Sequence, residues 1–188
     1  NGATMSMLLQ TCFYKKKKKN KTKFLLTQYT DTTLVQASKD YDTIIQQCNT
    51  FDTQLIEQLT QVGGDEYATI CSLVYRQVLG GMKLVYHPTL KMPWYFLKEI
   101  SSDGDLSTVN VIYPAAPFLL YFKPELLALQ LLPIMAYSNN ETCSKYPFDF
   151  AAHHLGFYPI ANIKPSEQEN MPVEETANML HMIAAVLK

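Results

Sequence analysis

A helical periodicity closed by a pair of glycines is the feature that most limits how this chain folds. Between residues 31 and 62, apolar side chains recur at steps of three and four, which predicts one amphipathic helix or two helices broken near 49–52. Gly63 and Gly64 end this pattern, and a second helix is predicted over residues 66–79. Two long helices joined by a short glycine turn predict an antiparallel helical hairpin.

Shorter elements follow the hairpin. Residues 83–86 and 94–98 are short aromatic and apolar runs separated by a loop, and they predict a small β-hairpin or two irregular strands. Residues 101–105 predict a turn, and residues 109–113 predict an extended segment before a further helical region. The fold class predicted from the residues is mainly α with a small β-hairpin.

Two more helices are predicted towards the end of the chain. Residues 125–137 form an almost wholly apolar run behind Pro124, which is well placed at a first helical turn. Residues 173–187 form the last helix, and the stretch between the two helices (138–168) is irregular and rich in aromatic residues. A long irregular segment of this composition is typical of a functional loop.

The charge distribution is uneven. Seven of the 16 basic residues are lysines between positions 15 and 23, and the rest of the chain has 9 basic against 17 acidic residues. Residues 1–29 are therefore predicted to be a lysine-rich, disordered segment, in preference to a nuclear signal or a tether to an anionic surface. This excess of acidic residues outside the lysine run argues against nucleic-acid binding.

Several other classes lack sequence support. No apolar run approaches the roughly 18 residues of a membrane span, and residues 1–19 do not have the order of a signal peptide. The four cysteines are widely spaced without a zinc-ligand pattern, and no nucleotide-binding, dinucleotide-binding or serine-hydrolase motif is present. We therefore predict neither a metal nor a cofactor.

Polar or titratable residues stand next to proline or aromatic residues in four places: Lys98-Glu99, residues 110–114, residues 153–159 and residues 171–179. Such surroundings shift pKa values and immobilise side chains, as acid/base catalysis requires. The structural alternative is that the acidic pair at 174–175 only caps a helix and that the two histidines only make loop hydrogen bonds, and the residues alone favour this alternative.

Five segments together resemble the fungal-type glutaminase A family. They are GGDEYATICSLVYRQ at 63–77, Lys98-Glu99, VIYPAAP at 111–117, LGFYPIAN at 155–162 and MPVEETANM at 171–179. The order and spacing of these segments make the resemblance specific, and it covers residues 30–188. The family is known for secreted or surface proteins that hydrolyse glutamine to glutamate and ammonia, with a catalytic region similar to the six-hairpin α/α toroids of certain glycosidases.

The resemblance implies an incomplete α/α toroid over residues 30–188, with a small β-hairpin inserted. The expected partners are a small polar amide or sugar-like substrate, together with the remaining toroid and an N-terminal β-rich region of a longer parent chain. The expected location is extracellular or at the cell surface. Because toroid neighbours are absent from this sequence, the helix segment 126–135 is expected to present apolar side chains to solvent.

The catalytic residues expected from the resemblance are Glu174 and Glu175. The remaining site positions are expected to bind substrate: Lys98, Glu99, Asn110, Tyr113, His153, His154, Tyr158 and Asn178. Two positions depart from the family pattern, because Asn110 and His154 stand where carboxylates are expected. Asparagine cannot act as a general base, and histidine reverses the charge preference of its position.

Three functions are therefore open. The first is a fragment of a glutaminase-like amidohydrolase, in which one glutamate activates water and a second acid protonates the leaving ammonia. The second is a degenerate, non-catalytic binding or scaffold module, and the third is glycoside-hydrolase-like activity, since paired carboxylates on a toroid also suit sugar chemistry. In each case Tyr113, His153, Tyr158 and Glu175 are expected to converge on one concave surface, with Pro114 holding Tyr113 extended.

Overall fold

The computed structural model describes residues 21–99, 104–139 and 146–188, with side chains from residue 32 onward. The chain divides into two compact units, residues 1–77 and residues 78–188. Helix α1 begins at Lys21, so the last part of the segment expected to be disordered is helical. Residues 1–20 of that segment lie outside the described residues.

Helix α1 (Lys21–Gly81) consists of two arms that meet at Gly64, whose φ of 82° and ψ of −178° are not helical. The rings of Phe51 and Tyr75 lie 5.6 Å apart between centroids. Residues 24 positions apart in a straight helix are separated by about 36 Å, so the chain must reverse between these two rings. The predicted helical hairpin is confirmed, and the helix is unbroken at residues 49–52.

The second unit opens with a two-stranded antiparallel sheet. Strand β1 (Met82–His87) pairs with β2 (Met92–Leu97), with Met82 opposite Leu97 and Leu84 opposite Tyr95. One face of β2 packs against the core, where the side chains of Tyr95 and Leu97 are both buried. The predicted β-hairpin is confirmed.

Helix α2 (Val109–Phe122) replaces the extended segment predicted at residues 109–113. That prediction was wrong, and so was the expectation that Pro114 holds Tyr113 extended. The buried side of α2 recurs at helical spacing, through Val109, Ile112, Ala116 and Leu119. Pro114 and Pro117 both lie on the exposed side, where water can bind the carbonyls that they leave without an N–H partner.

Helix α3 (Pro124–Ser138) begins with its proline in the first turn, as predicted. Its apolar side chains pack into the core, and Leu127, Leu131 and Ile134 are all at most 3% exposed. The expectation that residues 126–135 face solvent was therefore wrong for most of them, although Met135 is exposed. The sheet, α2 and α4 cover the apolar side chains of α3, which were expected to be covered only by helices outside this sequence.

Helix α4 (Pro172–Leu187) closes the described chain, with Met179 and Met182 on its buried side. Between α3 and α4 the structure describes Asn139 and residues 146–171, which contain one short 3₁₀ turn (Pro165–Glu167). Several core side chains come from this irregular segment: Tyr146, Ala152, Leu155 and Ile163. Within the part of the chain that is described, no helix is both long and apolar enough to cross a membrane.

Candidate functional site

Two irregular segments, 104–109 and 153–157, lie side by side through main-chain hydrogen bonds. Leu155 N–H donates to Leu106 O at 2.8 Å, and Leu106 N–H donates to Gly156 O at 2.7 Å. Val109 N–H at the start of α2 donates to His153 O at 2.9 Å. This pairing holds the two histidines of the second segment against the beginning of α2.

The beginning of α4 supplies the opposing carboxylate. Pro172 starts this helix in its first turn and places Glu174 and Glu175 in the same turn, as predicted. Consecutive helical residues point about 100° apart, so the two carboxylates have different surroundings. Glu174 is exposed, whereas Glu175 is completely buried.

Glu175 is paired with His153. The His153 Nδ1 atom lies 2.9 Å from Glu175 Oε1, and the side chains are 7% and 0% exposed. The other carboxylate oxygen, Oε2, accepts a long hydrogen bond of 3.5 Å from Asn178 Nδ2. Glu175 also lies in the first turn of α4, where the helix N-terminus favours a negative charge. We call these two residues the His153 pair.

The His153 pair changes the proton affinity of the imidazole. The close contact with the Glu175 carboxylate raises the pKa of His153 above its ordinary value, and burial acts in the opposite direction. The negative charges of Glu175, Glu169 and Asp105 also raise the pKa. The folded chain therefore favours the protonated form of His153 more than water does.

His154 is paired with a different acid, Asp105. The His154 Nδ1 atom lies 2.9 Å from Asp105 Oδ1, and both side chains are largely buried. The two imidazole rings are nearly perpendicular, with centroids 5.4 Å apart. We call His154 and Asp105 the His154 pair. Sequence reasoning missed Asp105, because the Asp-Gly-Asp run at 103–105 predicted only a turn.

Two other predicted substrate-binding residues lie on the β2 side of the site. The Thr108 hydroxyl donates to Glu99 Oε2 at 3.1 Å, so this carboxylate lies beside the residue that precedes α2. The Lys98 ammonium lies 4.7 Å from the ring centroid of Tyr158, a cation–π contact at the surface. Lys98 also pairs with Leu106 in an isolated β-bridge, so the 98–99 segment joins the segment that carries Asp105.

The remaining predicted residues lie between α2 and α4. Asn110 Nδ2 contacts Met171 Sδ at 3.9 Å. The Tyr113 hydroxyl lies 3.4 Å from Nδ1 of His181, a residue that sequence reasoning also missed. Helix α4 therefore carries both the buried Glu175 and the contact of Tyr113. The structure brings His153 and Glu175 into direct contact, whereas Tyr113 and Tyr158 contact other partners, and their convergence on one concave surface stays a prediction.

No metal ligand set is present in residues 21–99, 104–139 and 146–188, since no three His, Cys, Asp or Glu side chains are close enough there to hold an ion. A shallow depression of about 350 Å³ lies on the first arm of α1, lined by Gln46, Gln47, Thr50, Phe51 and Gln54. None of these residues belongs to the two histidine pairs. The two histidine pairs place imidazole and carboxylate groups within 2.9 Å of each other, and such groups can transfer protons.

The sequence profile described as "Glutaminase A six helical-hairpin domain" matches residues 64–188. This chain belongs to the glutaminase A family. A glutaminase A of Aspergillus oryzae is 42% identical over 136 residues, which are 71% of this chain and 19% of that protein. A probable glutaminase of Arthroderma benhamiae is 37% identical over 134 residues, which are 70% of this chain and 15% of that protein.

The family match includes every residue of both histidine pairs. It also confirms the resemblance found in the sequence and the mainly helical fold with its small β-hairpin. The chain spans less than a fifth of the length of each of these two relatives. No solved structure matches the chain.

Proposed function

We propose that the second unit carries the acid/base centre of a hydrolase that cleaves the side-chain amide of L-glutamine to give L-glutamate and ammonia. The observation that supports this proposal is the His153 pair, in which a buried carboxylate lies 2.9 Å from an imidazole nitrogen. The names of the two relatives, a glutaminase A and a probable glutaminase, supply the substrate.

The pair has the arrangement that a general base requires. Because the Glu175 carboxylate has no proton to donate, it selects the tautomer in which His153 carries its proton on Nδ1. The basic nitrogen is then Nε2, which makes no hydrogen bond to the described residues. Glu175 orients the ring and stabilises the imidazolium that forms when Nε2 accepts a proton.

In the proposed reaction, Nε2 of His153 takes a proton from a water molecule as its oxygen attacks the amide carbon. The carbonyl π-electrons move to oxygen and form a tetrahedral intermediate. The C–N bond then breaks as the imidazolium returns the proton to the leaving nitrogen, which departs as ammonia. Glu174, exposed on the first turn of α4, stays a predicted catalytic residue, and this reaction assigns no proton transfer to it.

Ammonia release from glutamine tests this mechanism directly. We expect His153→Gln to lower kcat by about 100-fold or more, since general acid/base catalysis typically contributes 10²–10⁴-fold. Glu175→Gln removes the charge that orients the ring and is expected to lower kcat as well. Glu125→Gln is the matched control, because Glu125 is also a first-turn helical glutamate but is exposed and paired with Lys123. A His153→Gln variant as active as the control would contradict the proposal.

Burial favours one alternative, a non-catalytic binding module. Glu175 is not exposed, and both histidines are less than 10% exposed, so the chemistry lies beneath the surface. If calorimetry detects glutamine binding while the unsubstituted chain releases no ammonia, the binding module is the correct function. Release of sugar from a glycan panel would instead support the glycosidase alternative.

We further propose that additional helical hairpins of a longer parent chain cover this domain. The matched family is a six helical-hairpin domain, and several large apolar side chains of α1 and α4 are exposed. They are Leu34, Val35, Tyr41, Val62, Ile70, Val173, Leu180 and Leu187. We expect the isolated chain to self-associate at micromolar concentration and to bind a hydrophobic dye. A monomer in light scattering that binds no dye would contradict this proposal.

A further inference from the structure

The side chain of Gln168 binds the backbone of both histidines. Its Oε1 atom accepts hydrogen bonds from His153 N–H at 3.1 Å and from His154 N–H at 3.5 Å. Its Nε2 atom donates to His154 O at 2.8 Å. One amide therefore binds two donors and one acceptor of the same short segment.

Gln168 is itself anchored to α3. Its Nε2 atom also donates to the Tyr137 hydroxyl at 3.5 Å, and this hydroxyl donates to Ile163 O at 3.0 Å. Reversing the amide would place an NH₂ group against two N–H donors and an oxygen against a carbonyl, so the orientation of the amide is determined. Tyr137 is buried, and the anchor therefore has little freedom to move.

We propose that Gln168 is a positioning residue: through the backbone of His153 and His154 it keeps the His153 imidazole on Glu175 and the His154 imidazole on Asp105. The two imidazoles belong to consecutive residues but pair with acids from different segments, at 2.9 Å each. A rotation of the peptide between them would disturb both pairs together. This role adds a positioning residue to the proposed acid/base function of His153. The activity test of the role rests on that proposed function, whereas the titration test does not.

The protonation of His153 reports the position of its ring. The groups that act on it are Glu175 on α4, Glu169 in the preceding loop and Asp105 before α2, and all three raise the pKa of His153. The close contact with Glu175 is the largest cause, and it weakens as the two side chains separate. If Gln168 is lost and the ring moves away from Glu175, the pKa of His153 must fall.

The test is an NMR titration of the imidazoles in the 188-residue chain. In Gln168→Leu we expect the His153 pKa to shift down towards its ordinary value of about 6.5. In Gln168→Glu the carboxylate still accepts both N–H groups, but its second oxygen faces His154 O in place of the donor, so we expect a smaller fall than in Gln168→Leu. Ser138→Ala is the matched control, since the Ser138 hydroxyl oxygen accepts a hydrogen bond from the N–H of Ala152, the residue before His153, at 3.5 Å. We expect this variant to titrate like the unsubstituted chain.

An unchanged His153 titration in Gln168→Leu would overturn the proposal, and so would an equal shift in Ser138→Ala. If Gln168→Leu does not fold, Gln168→Met decides, because methionine has a similar length and removes the same hydrogen bonds, and an unchanged His153 titration there overturns the proposal. The titration needs no catalysis, so a shifted His153 in a chain without glutaminase activity would refute the proposed function and leave the positioning role intact. In an active chain, Gln168→Leu should lower kcat with little change in KM.

Discussion

Removing His153 from beside the buried carboxylate of Glu175 is expected to be costly. In His153→Leu, Glu175 stays completely buried, and its remaining side-chain hydrogen bond is the 3.5 Å contact from Asn178. Leaving one partner of a buried ion pair uncompensated typically costs about 3–5 kcal/mol. That is a large part of the roughly 5–15 kcal/mol by which a typical domain is stable.

Replacing both partners is expected to lower the free energy of unfolding by less than the sum of the two single substitutions. In His153→Leu/Glu175→Leu no charge is left buried, and two apolar side chains of similar size fill the space. The coupling energy from the double-mutant cycle should therefore be about 2–3 kcal/mol. Urea unfolding of the four chains measures it, provided that the slope of free energy against urea stays constant. A coupling energy below about 0.5 kcal/mol would refute the claim that these two side chains stabilise each other.

The pair also gives stability a defined dependence on pH. The pKa of His153 is raised in the folded chain, so the folded state binds the proton more tightly than the unfolded state. The stabilisation is complete below about pH 6.5 and is lost as the pH rises through the higher folded pKa. The unsubstituted chain and the double variant should therefore differ less in unfolding free energy as the pH rises from about 6.5 through the folded pKa of His153. A difference that grows with rising pH would contradict the assigned direction.

Three further predictions concern the frame around the site. Gly156→Ala should lower the free energy of unfolding by about 1–3 kcal/mol in urea titrations, because Gly156 has a φ of +112° and an added Cβ would lie 2.9 Å from Ile163 N. Leu127→Ala should cost about 2–5 kcal/mol at a fully buried position, whereas Val173→Ala, at 82% exposure, should stay within about 0.5 kcal/mol. Burial raises the pKa of Tyr146 to about 12, so absorbance titration should detect a phenol that ionises well above the ordinary value of about 10, and its absence would contradict this packing.

Local patterns predicted the elements whose apolar residues follow one period. The glycine-ended hairpin, the β-hairpin and the proline starts of α3 and α4 all follow from short stretches of sequence. The pattern at residues 109–113 misled, because Pro114 favours an extended neighbour in isolation. Burial of Val109 and Ile112 against the core outweighed that local preference.

The site was predictable only in part, because its partners come from distant segments. The acidic pair and the two histidines stood out by residue type and by proline neighbours, and His153 with Glu175 proved to be one contact. Asp105 and Gln168 gave no comparable signal, since their roles depend on the pairing of segments about 50 residues apart and on one amide reaching back 14 residues. The extracellular location inferred from the family stays a prediction.

The pH dependence of kcat/KM for glutamine tests the central claim most directly, when it is measured for the unsubstituted chain and for Glu175→Gln. If neutral His153 is the base, kcat/KM rises with pH as His153 loses its proton. Removing the charge of Glu175 should move this rise to lower pH, since the hydrogen bond and charge of Glu175 raise the His153 pKa. A rise at the same pH in both chains would contradict the account.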